Sequence, residues 1–178
     1  KDIMERHQVR PEFFGVDETG TQRLGDVLER EWGPGLMRVF FGRKAPDAQV
    51  SLDNANKASD YYRDTVTYLW FLARSFGSYY QIRGLPEEAR LQFCRRRITK
   101  RNPLQMESKQ EMRKRLRRSP DQADACAICL AVARERCGFM PGATKVDPAG
   151  AGLSGFSVEL QREYDIDSRS DGYLVPAL

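Results

Sequence analysis

Residues 13–41 read FFGVDETGTQRLGDVLEREWGPGLMRVFF, and this stretch decides the class of fold. Its first apolar run ends in acidic residues at Asp17, a pattern typical of a buried strand whose carboxyl end carries the acids. After a turn at Gly20, apolar side chains recur at helical spacing over 21–32, and a Gly-Pro-Gly sequence stops this helix. The apolar residues 36–41 follow as a second strand. Strand, helix and strand joined by short turns predict a βαβ crossover, and therefore an α/β fold with a parallel part in its sheet.

The residues around this unit alternate helical patterns with polar loops. We expect the end of a helix over 1–9, a polar loop over 42–53, a long helix over 54–76, a short strand over 80–82, a helix over 86–97, a hairpin over 98–106 and a helix from Pro120 to about Cys137. The long helix carries a strongly aromatic face. Aromatic residues at helical spacing are more typical of a packed core than of a platform that stacks bases.

The composition of the chain changes after Cys137. Residues 138–155 are rich in glycine and include two prolines, which is the composition of a linker, and an acidic polar end follows a short amphipathic piece. We therefore expect one domain over 1–137, and a linker with a mobile C-terminal tail or docking segment over 138–178.

The composition is that of a soluble globular chain. Of its 178 residues, 40% are hydrophobic and 30% are charged, which excludes the disordered and membrane-spanning classes. No apolar run approaches the roughly 20 residues that cross a bilayer. The amino end has no signal-peptide core and no initiator Met, so we expect a piece of a longer protein.

Positive charge is concentrated in one segment, which we call the basic stripe (residues 90–118). It holds twelve lysines and arginines against two acids, Glu107 and Glu111, although the net charge of the whole chain is only +4. Such a local concentration is the footprint expected of a nucleic-acid-binding face. From charge alone, a solvated basic surface without a ligand is equally consistent.

The four cysteines do not indicate a metal site. Cys126 and Cys129 form a C-x-x-C inside an apolar helical run, where small buried thiols explain them. A zinc site would need two further ligands, and only Cys94, Cys137 and the single histidine, His7, are available. Reduced thiols in a cytosolic setting are the simpler interpretation.

Residues 106–125 read MESKQEMRKRLRRSPDQADA and place carboxylates beside guanidinium groups. Ser119 is a candidate N-cap, with Pro120 at the first position of the following helix. Asp121 and Asp124 are three residues apart, so they share one face near the positive end of that helix. This combination suits a metal-dependent enzyme that acts on a polyanion.

Carboxylates from two separate elements could complete such a site. If the strand end brings Asp17 against Asp121 and Asp124, their oxygens suit Mg²⁺ or Mn²⁺. Two such ions about 3.5–4 Å apart can generate hydroxide and stabilise the leaving oxygen at a scissile phosphate. The alternative is that Asp17 belongs to an ordinary turn and that the other two acids are helix-start charges.

These residues together resemble the C-terminal nuclease domain of the large terminase subunit of tailed bacteriophages. The likeness covers about 1–136 and rests on four segments, FGVDETG at 14–20, the helix and strand at 24–42, NKASDYY at 56–62 and, most specifically, ESKQEMRKRLRRSPDQADA at 107–125. The resemblance implies an RNase H-like, resolvase-type fold, with a mixed sheet flanked by helices.

The resemblance also implies an activity and partners. The expected enzyme is a two-metal endonuclease, dependent on Mg²⁺ or Mn²⁺, that cuts concatemeric viral DNA before and after head filling. Its partners would be double-stranded DNA, the terminase ATPase domain, the small terminase subunit and the portal, in the cytoplasm of an infected or lysogenic bacterium and away from any membrane.

By motif, the resemblance assigns Asp17 as the second metal ligand and Asp121 as the third, both catalytic. Asp124 is a further metal ligand or orients its neighbour. Glu18 is a weaker candidate, since strand alternation points it away from Asp17. The expected contacts to the DNA backbone are Arg113, Lys114, Arg115, Arg117 and Arg118.

The chain departs from the family in two respects. The family's first acid lies on a first strand, and no such strand precedes Lys1, nor does the chain contain the ATPase motif G-x-x-x-x-G-K-[ST]. We therefore expect an incomplete nuclease domain whose metal binding and cleavage are weakened. A non-catalytic DNA-binding or portal-docking module that keeps the fold stays open, as does another RNase H-like enzyme such as a junction resolvase or transposase.

Overall fold

The computed structural model describes residues 2–20, 23–52 and 54–142, and it shows a mixed α/β fold. The helices are α1 (Asp2–Arg6), α2 (Arg23–Trp32), α3 (Ala58–Tyr61), α4 (Thr65–Ser78), α5 (Glu87–Arg95), α6 (Lys109–Leu116) and α7 (Asp121–Cys137), with a 3₁₀ turn at Pro11–Phe13. The strands are β1 (Gly15–Asp17), β2 (Met37–Val39), β3 (Gln49–Ser51), β4 (Asn54–Lys57), β5 (Ile98–Arg101) and β6 (Leu104–Met106).

The strands pair two by two. β1 and β2 are parallel, with Gly15 opposite Met37 and Asp17 opposite Val39, which confirms the predicted strand–helix–strand unit. β3 pairs with β4, and β5 with β6, both antiparallel. Within the described ranges the strands therefore form three two-stranded sheets rather than one continuous sheet.

The parallel pair is fastened to the rest of the molecule by α7. Gly15 lies against this helix so closely that a Cβ built on it would be 2.3 Å from Ile128 Cγ2 and 2.9 Å from Val132 Cγ2. A glycine inside a strand often marks such a close approach. The contact sets the distance between β1 and the helix that begins at Asp121.

The core lies between α4, α5 and α7, and the aromatic residues occupy it. Small residues of α7 belong to the same cluster as the buried aromatic residues, which are Phe41, Tyr62, Tyr68, Trp70, Phe71, Phe76 and Phe93. Trp70 and Phe93 meet edge to face, with their ring centroids 4.8 Å apart. The structure thus confirms that the aromatic face is core rather than a stacking platform.

The long helix expected over 54–76 is wrong. That segment begins as β4, continues as the short helix α3 and restarts as α4. Asp64 is the N-cap of α4, and its Oδ1 accepts hydrogen bonds from the backbone and the hydroxyl of Thr67, at 3.0 and 2.6 Å. Because a capping carboxylate favours a helix start, the break falls at Asp64. The loop expected over 42–53 contains β3, with which β4 pairs.

Two smaller expectations also need correction. Residues 80–82 form no strand, and Tyr80 instead has a left-handed backbone with φ 58°. Ser119 is not the N-cap of α7, because Pro120 holds that position and the Ser119 hydroxyl donates to Asp121 Oδ1 at 2.8 Å. The helix over 86–97, the hairpin and the end of α7 near Cys137 are confirmed to within two residues.

The start of the predicted tail packs on the domain. Pro141 is buried, and its carbonyl accepts the backbone N–H of Leu52 at 3.2 Å. The Gln81 side chain bonds the Met140 carbonyl and the Gly142 N–H, each at 3.1 Å. The rest of the expected tail, 143–178, lies outside the described residues. In the part of the chain that the structure describes, no helix has the length and apolar character needed to cross a membrane.

Candidate functional site

Two helix starts come together at the candidate site. Ser108 and Glu111 form a capping box that begins α6, so Lys109 is the first residue of that helix. The helix ends at Leu116, and the C-cap residue Arg117 has a left-handed backbone with φ 57°. A short turn then leads into α7, where Asp121 is the first residue.

Asp124, one turn into α7, is buried and held on one of its oxygens. Its Oδ1 accepts a hydrogen bond from Trp70 Nε1 at 3.1 Å and another from Arg96 Nη1 at 3.3 Å. The Arg96 guanidinium also lies over the Trp70 ring, 4.6 Å from its centroid. Among the described residues nothing donates a hydrogen bond to the buried Asp124 Oδ2.

Lys109 bridges the two aspartates. Its Nζ is 2.6 Å from Asp121 Oδ1 and 3.4 Å from Asp124 Oδ2. One ammonium group therefore reaches both carboxylates, which confirms that Asp121 and Asp124 share a face of α7. The structure brings these two predicted residues together through a third that the sequence analysis did not assign to the site.

The surroundings shift the pKa values in opposite directions. Burial raises the pKa of Asp124, although Arg96 and Lys109 oppose that shift. The hydrogen bond from Lys109 lowers the pKa of the more exposed Asp121. Burial also tends to lower the pKa of Lys109, but the bond to Asp121 and the charge of Asp124 outweigh it and leave that pKa raised. Lys109 and Asp121 are therefore an ion pair at neutral pH.

A second buried acid ties the start of α6 to α5. Glu107 Oε1 accepts two hydrogen bonds, one from the backbone N–H of Arg97 at 3.0 Å and one from Arg115 Nη2. The carbonyl of Glu107 accepts from Arg96 Nε at 2.9 Å. Arg115, expected to contact DNA, is therefore engaged within the fold through Glu107 and the Arg95 carbonyl.

The other four predicted DNA contacts lie at the surface. Arg113, Lys114, Arg117 and Arg118 are exposed on α6 and the turn that follows it. Arg118 has a weak ion pair with Glu88, at 3.6 Å. This cationic surface begins near the Lys109–Asp121 pair, since the charge of Arg113 contributes to the lowered pKa of Asp121.

Asp17 lies at the carboxyl end of β1, as predicted, and is half-buried. Its Oδ1 accepts the backbone N–H of Thr19 at 2.8 Å, and the Thr19 hydroxyl accepts the N–H of Phe41 at 3.0 Å. Over 2–20, 23–52 and 54–142, no three His, Cys, Asp or Glu side chains form a group that could hold a metal. Asp17 is thus not gathered with the Asp121 and Asp124 carboxylates into one cluster.

Glu18 has a structural place instead of a position in the site. It is fully buried, and its Oε1 accepts the backbone N–H of Gly25 near the start of α2. Arg38 Nη1 lies 3.7 Å from its other oxygen and 2.7 Å from Asp26. Glu18 therefore fastens α2 to the parallel strands.

The cysteines supply no cluster in the described part of the chain. Cys94 is buried and Cys126 is half-buried, whereas Cys129 and Cys137 are exposed. The expectation that both thiols of the C-x-x-C are buried is therefore wrong for Cys129. This thiol lies on the solvent face of α7, because the helix packs through other positions.

Three partners of Asp124 were not predicted from the sequence: Trp70, Arg96 and Lys109. For Lys109 the sequence contains a local signal. It is the first residue of a helix after a capping serine, and the short turn between α6 and α7 can place it near the start of the next helix. For Arg96 and Trp70 the sequence contains no such signal. Nothing in it distinguishes Arg96 from the neighbouring arginines, or Trp70 from the other aromatic residues of its helix.

The donor set fits a hard divalent cation in its chemistry. Asp121 and Asp124 supply carboxylate oxygens, the ligands that Mg²⁺ and Mn²⁺ prefer, and the Asp124 Oδ2 accepts no hydrogen bond from the described residues. In the structure, the Lys109 ammonium lies at both carboxylates. Compared with protein-family models, curated proteins and solved structures, the chain shows no match.

Proposed function

We propose that this chain is part of a metal-dependent DNA endonuclease with an RNase H-like fold, the nuclease domain of a phage or prophage DNA-packaging terminase. It hydrolyses phosphodiester bonds of double-stranded DNA in the bacterial cytoplasm. In that setting it works with the terminase ATPase domain, the small terminase subunit and the portal.

One observation carries this proposal. Asp121 and Asp124 lie together at the start of α7, within reach of one cation, and the exposed basic surface of α6 begins beside them. A pair of carboxylates next to a basic surface suits an enzyme that binds metal cations and a polyanionic substrate side by side. The parallel β1–α2–β2 unit, with Asp17 at a strand's carboxyl end, supports the same interpretation.

Each group has a role in this proposal. Asp121 and Asp124 are the proposed ligands of Mg²⁺ or Mn²⁺. Asp17, which the structure does not gather with them, keeps only the role that the family resemblance implies, that of a metal ligand from a separate strand. When bound, such ions activate water and neutralise charge on the scissile phosphate. Arg113, Lys114, Arg117 and Arg118 bind the phosphates of the DNA backbone and keep the duplex beside the carboxylates.

Plasmid nicking tests this function. Supercoiled plasmid is incubated with the chain in Mn²⁺, Mg²⁺ or EDTA, and the Asp121→Ala variant is compared with Asp60→Ala, which removes an exposed aspartate of α3. We expect cation-dependent nicking that is lost by at least about a hundredfold in Asp121→Ala and kept in Asp60→Ala. Cleavage that persists in EDTA, or is equal in both variants, would contradict the proposal.

A second candidate has its own supporting observation. Asp124 is already neutralised by Arg96 and Lys109, and the described residues hold no three-acid group. A non-catalytic DNA-binding or portal-docking module with the same fold would have this arrangement. Salt-sensitive DNA binding without cleavage in any divalent cation would favour that module over the nuclease.

A further inference from the structure

The pair of aspartates already has a cation between its carboxylates, and it belongs to the protein. Lys109 Nζ donates to Asp121 Oδ1 at 2.6 Å and lies 3.4 Å from Asp124 Oδ2. It therefore occupies the space between two oxygens of the type that a divalent cation binds.

The two sides of this arrangement differ in how firmly they are held. Asp124 is fixed, because its Oδ1 is hydrogen-bonded to Trp70 and Arg96, and both of those side chains are buried. Its Oδ2 is also buried, yet accepts no hydrogen bond from the described residues. Lys109 is different, since its side chain is 37% exposed and sits on the first residue of a surface helix. The ammonium can therefore move into solvent while the Asp124 carboxylate stays in place.

The charges point in the same direction. Arg96 and Lys109 carry as much positive charge as Asp121 and Asp124 carry negative charge, so these four groups together are neutral. A divalent cation added beside Lys109 would meet a positive charge within a few ångströms. At that distance the repulsion is substantial, even where water screens it.

We propose that Lys109 is a built-in counter-ion that occupies the cation position between Asp121 and Asp124, so that a divalent cation binds by displacing it. The inference rests on the proposed function in one respect, the assignment of Asp121 and Asp124 as metal ligands. It adds a regulation of that site. Without the metal, the Lys109 ammonium offsets the repulsion between the two carboxylates, and a divalent cation binds only where it displaces that ammonium.

Direct Mn²⁺ titration, without DNA, tests this inference. Free Mn²⁺ is followed by electron paramagnetic resonance with the chain, with Lys109→Met and with Lys44→Met, which removes an exposed lysine outside the cluster. We expect Lys109→Met to bind Mn²⁺ about tenfold more tightly than the unaltered chain, because the competing charge is gone. Lys44→Met should bind as the unaltered chain does, and so should Lys109→Arg, which restores a cation.

Further variants locate the effect. The gain in Lys109→Met should disappear when Asp121→Asn or Asp124→Asn is added, since the ligands are then lost. Circular dichroism melts check that each variant is folded, and Lys109→Gln carries the same comparison if Lys109→Met does not fold.

Several results would overturn the inference. These are equal or weaker Mn²⁺ binding in the folded Lys109 variant, no binding in either protein, or a gain that survives loss of Asp121. The proposed nuclease can fail separately: Mn²⁺ binding that responds to Lys109 as expected, together with no DNA cleavage, would remove the nuclease and leave the counter-ion in place.

Discussion

At the scale of single residues, Asp124 shows how a carboxylate can be buried in this protein. It is almost fully shielded from water and would be costly there without partners. Arg96, itself buried, supplies the compensating charge and at the same time bonds the Glu107 carbonyl. Arg96 therefore connects the end of α5 to the starts of α6 and α7.

Replacement of Arg96 by methionine should unfold the protein more easily. The change keeps most of the side-chain volume but leaves the Asp124 charge buried with weaker compensation. We expect a loss of about 3–5 kcal/mol in the free energy of unfolding, measured by urea denaturation. Addition of Asp124→Asn should recover more than half of that loss, because the amide still accepts from Trp70 without a charge. A loss below about 1 kcal/mol in the single variant would contradict this account of the pair.

At the scale of the elements, local sequence signals were sufficient to predict those helices and strands whose ends are set by turn or capping residues. The hairpin at 98–106 and α7 are examples, since turn residues and Gly138, with φ 73°, mark their ends. The segment 54–76 is the counter-example. Its helical periodicity is real in α4, but β4 is formed by pairing with β3, a partner that the pattern did not reveal.

The contact between β1 and α7 should be sensitive to one added methyl group. Gly15→Ala places a Cβ within 2.3 Å of Ile128 Cγ2 and 2.9 Å of Val132 Cγ2, so the helix or the strand must shift. We expect a destabilisation of about 1–3 kcal/mol, measured by thermal or urea unfolding.

Gly42→Ala is the matched control for this prediction. A Cβ at Gly42 meets nothing within 4 Å, and its backbone needs no left-handed φ. This variant should be neutral or slightly more stable, by less than about 1 kcal/mol. If both variants lose the same stability, then the close packing of α7 on β1 is not what Gly15 provides.

At the scale of the whole molecule, the attachment of α6 decides which of its basic side chains are engaged within the fold and which are exposed. Arg115 turns inward to Glu107, whereas Arg113, Lys114, Arg117 and Arg118 stay exposed. The basic stripe is thus engaged within the fold at some positions and exposed at others, a division that its sequence does not show.

DNA affinity should depend steeply on salt and on the exposed part of the stripe. Neutralised phosphates release counterions, so each lost contact lowers the slope of log affinity against log salt by about one. Arg113→Ala should therefore weaken binding about equally for different duplex sequences and lower that slope. Fluorescence anisotropy of a labelled duplex at several salt concentrations measures both.

Arg23→Ala is the control, since it removes an exposed charge outside the stripe. It should leave the slope unchanged. An affinity that does not respond to salt, or an equal change in both variants, would contradict phosphate binding by this surface.

The sequence by itself determined the mixed α/β character, the strand–helix–strand unit with Asp17 at a strand end, and the shared face of Asp121 and Asp124. These depend on periodicity, turns and spacing within a few residues of one another. Only the tertiary structure decided which groups surround the aspartates. Trp70 lies 54 residues from Asp124 along the chain and Arg96 lies 28. Their positions follow from helix packing around one core, a long-range effect that no local pattern encodes.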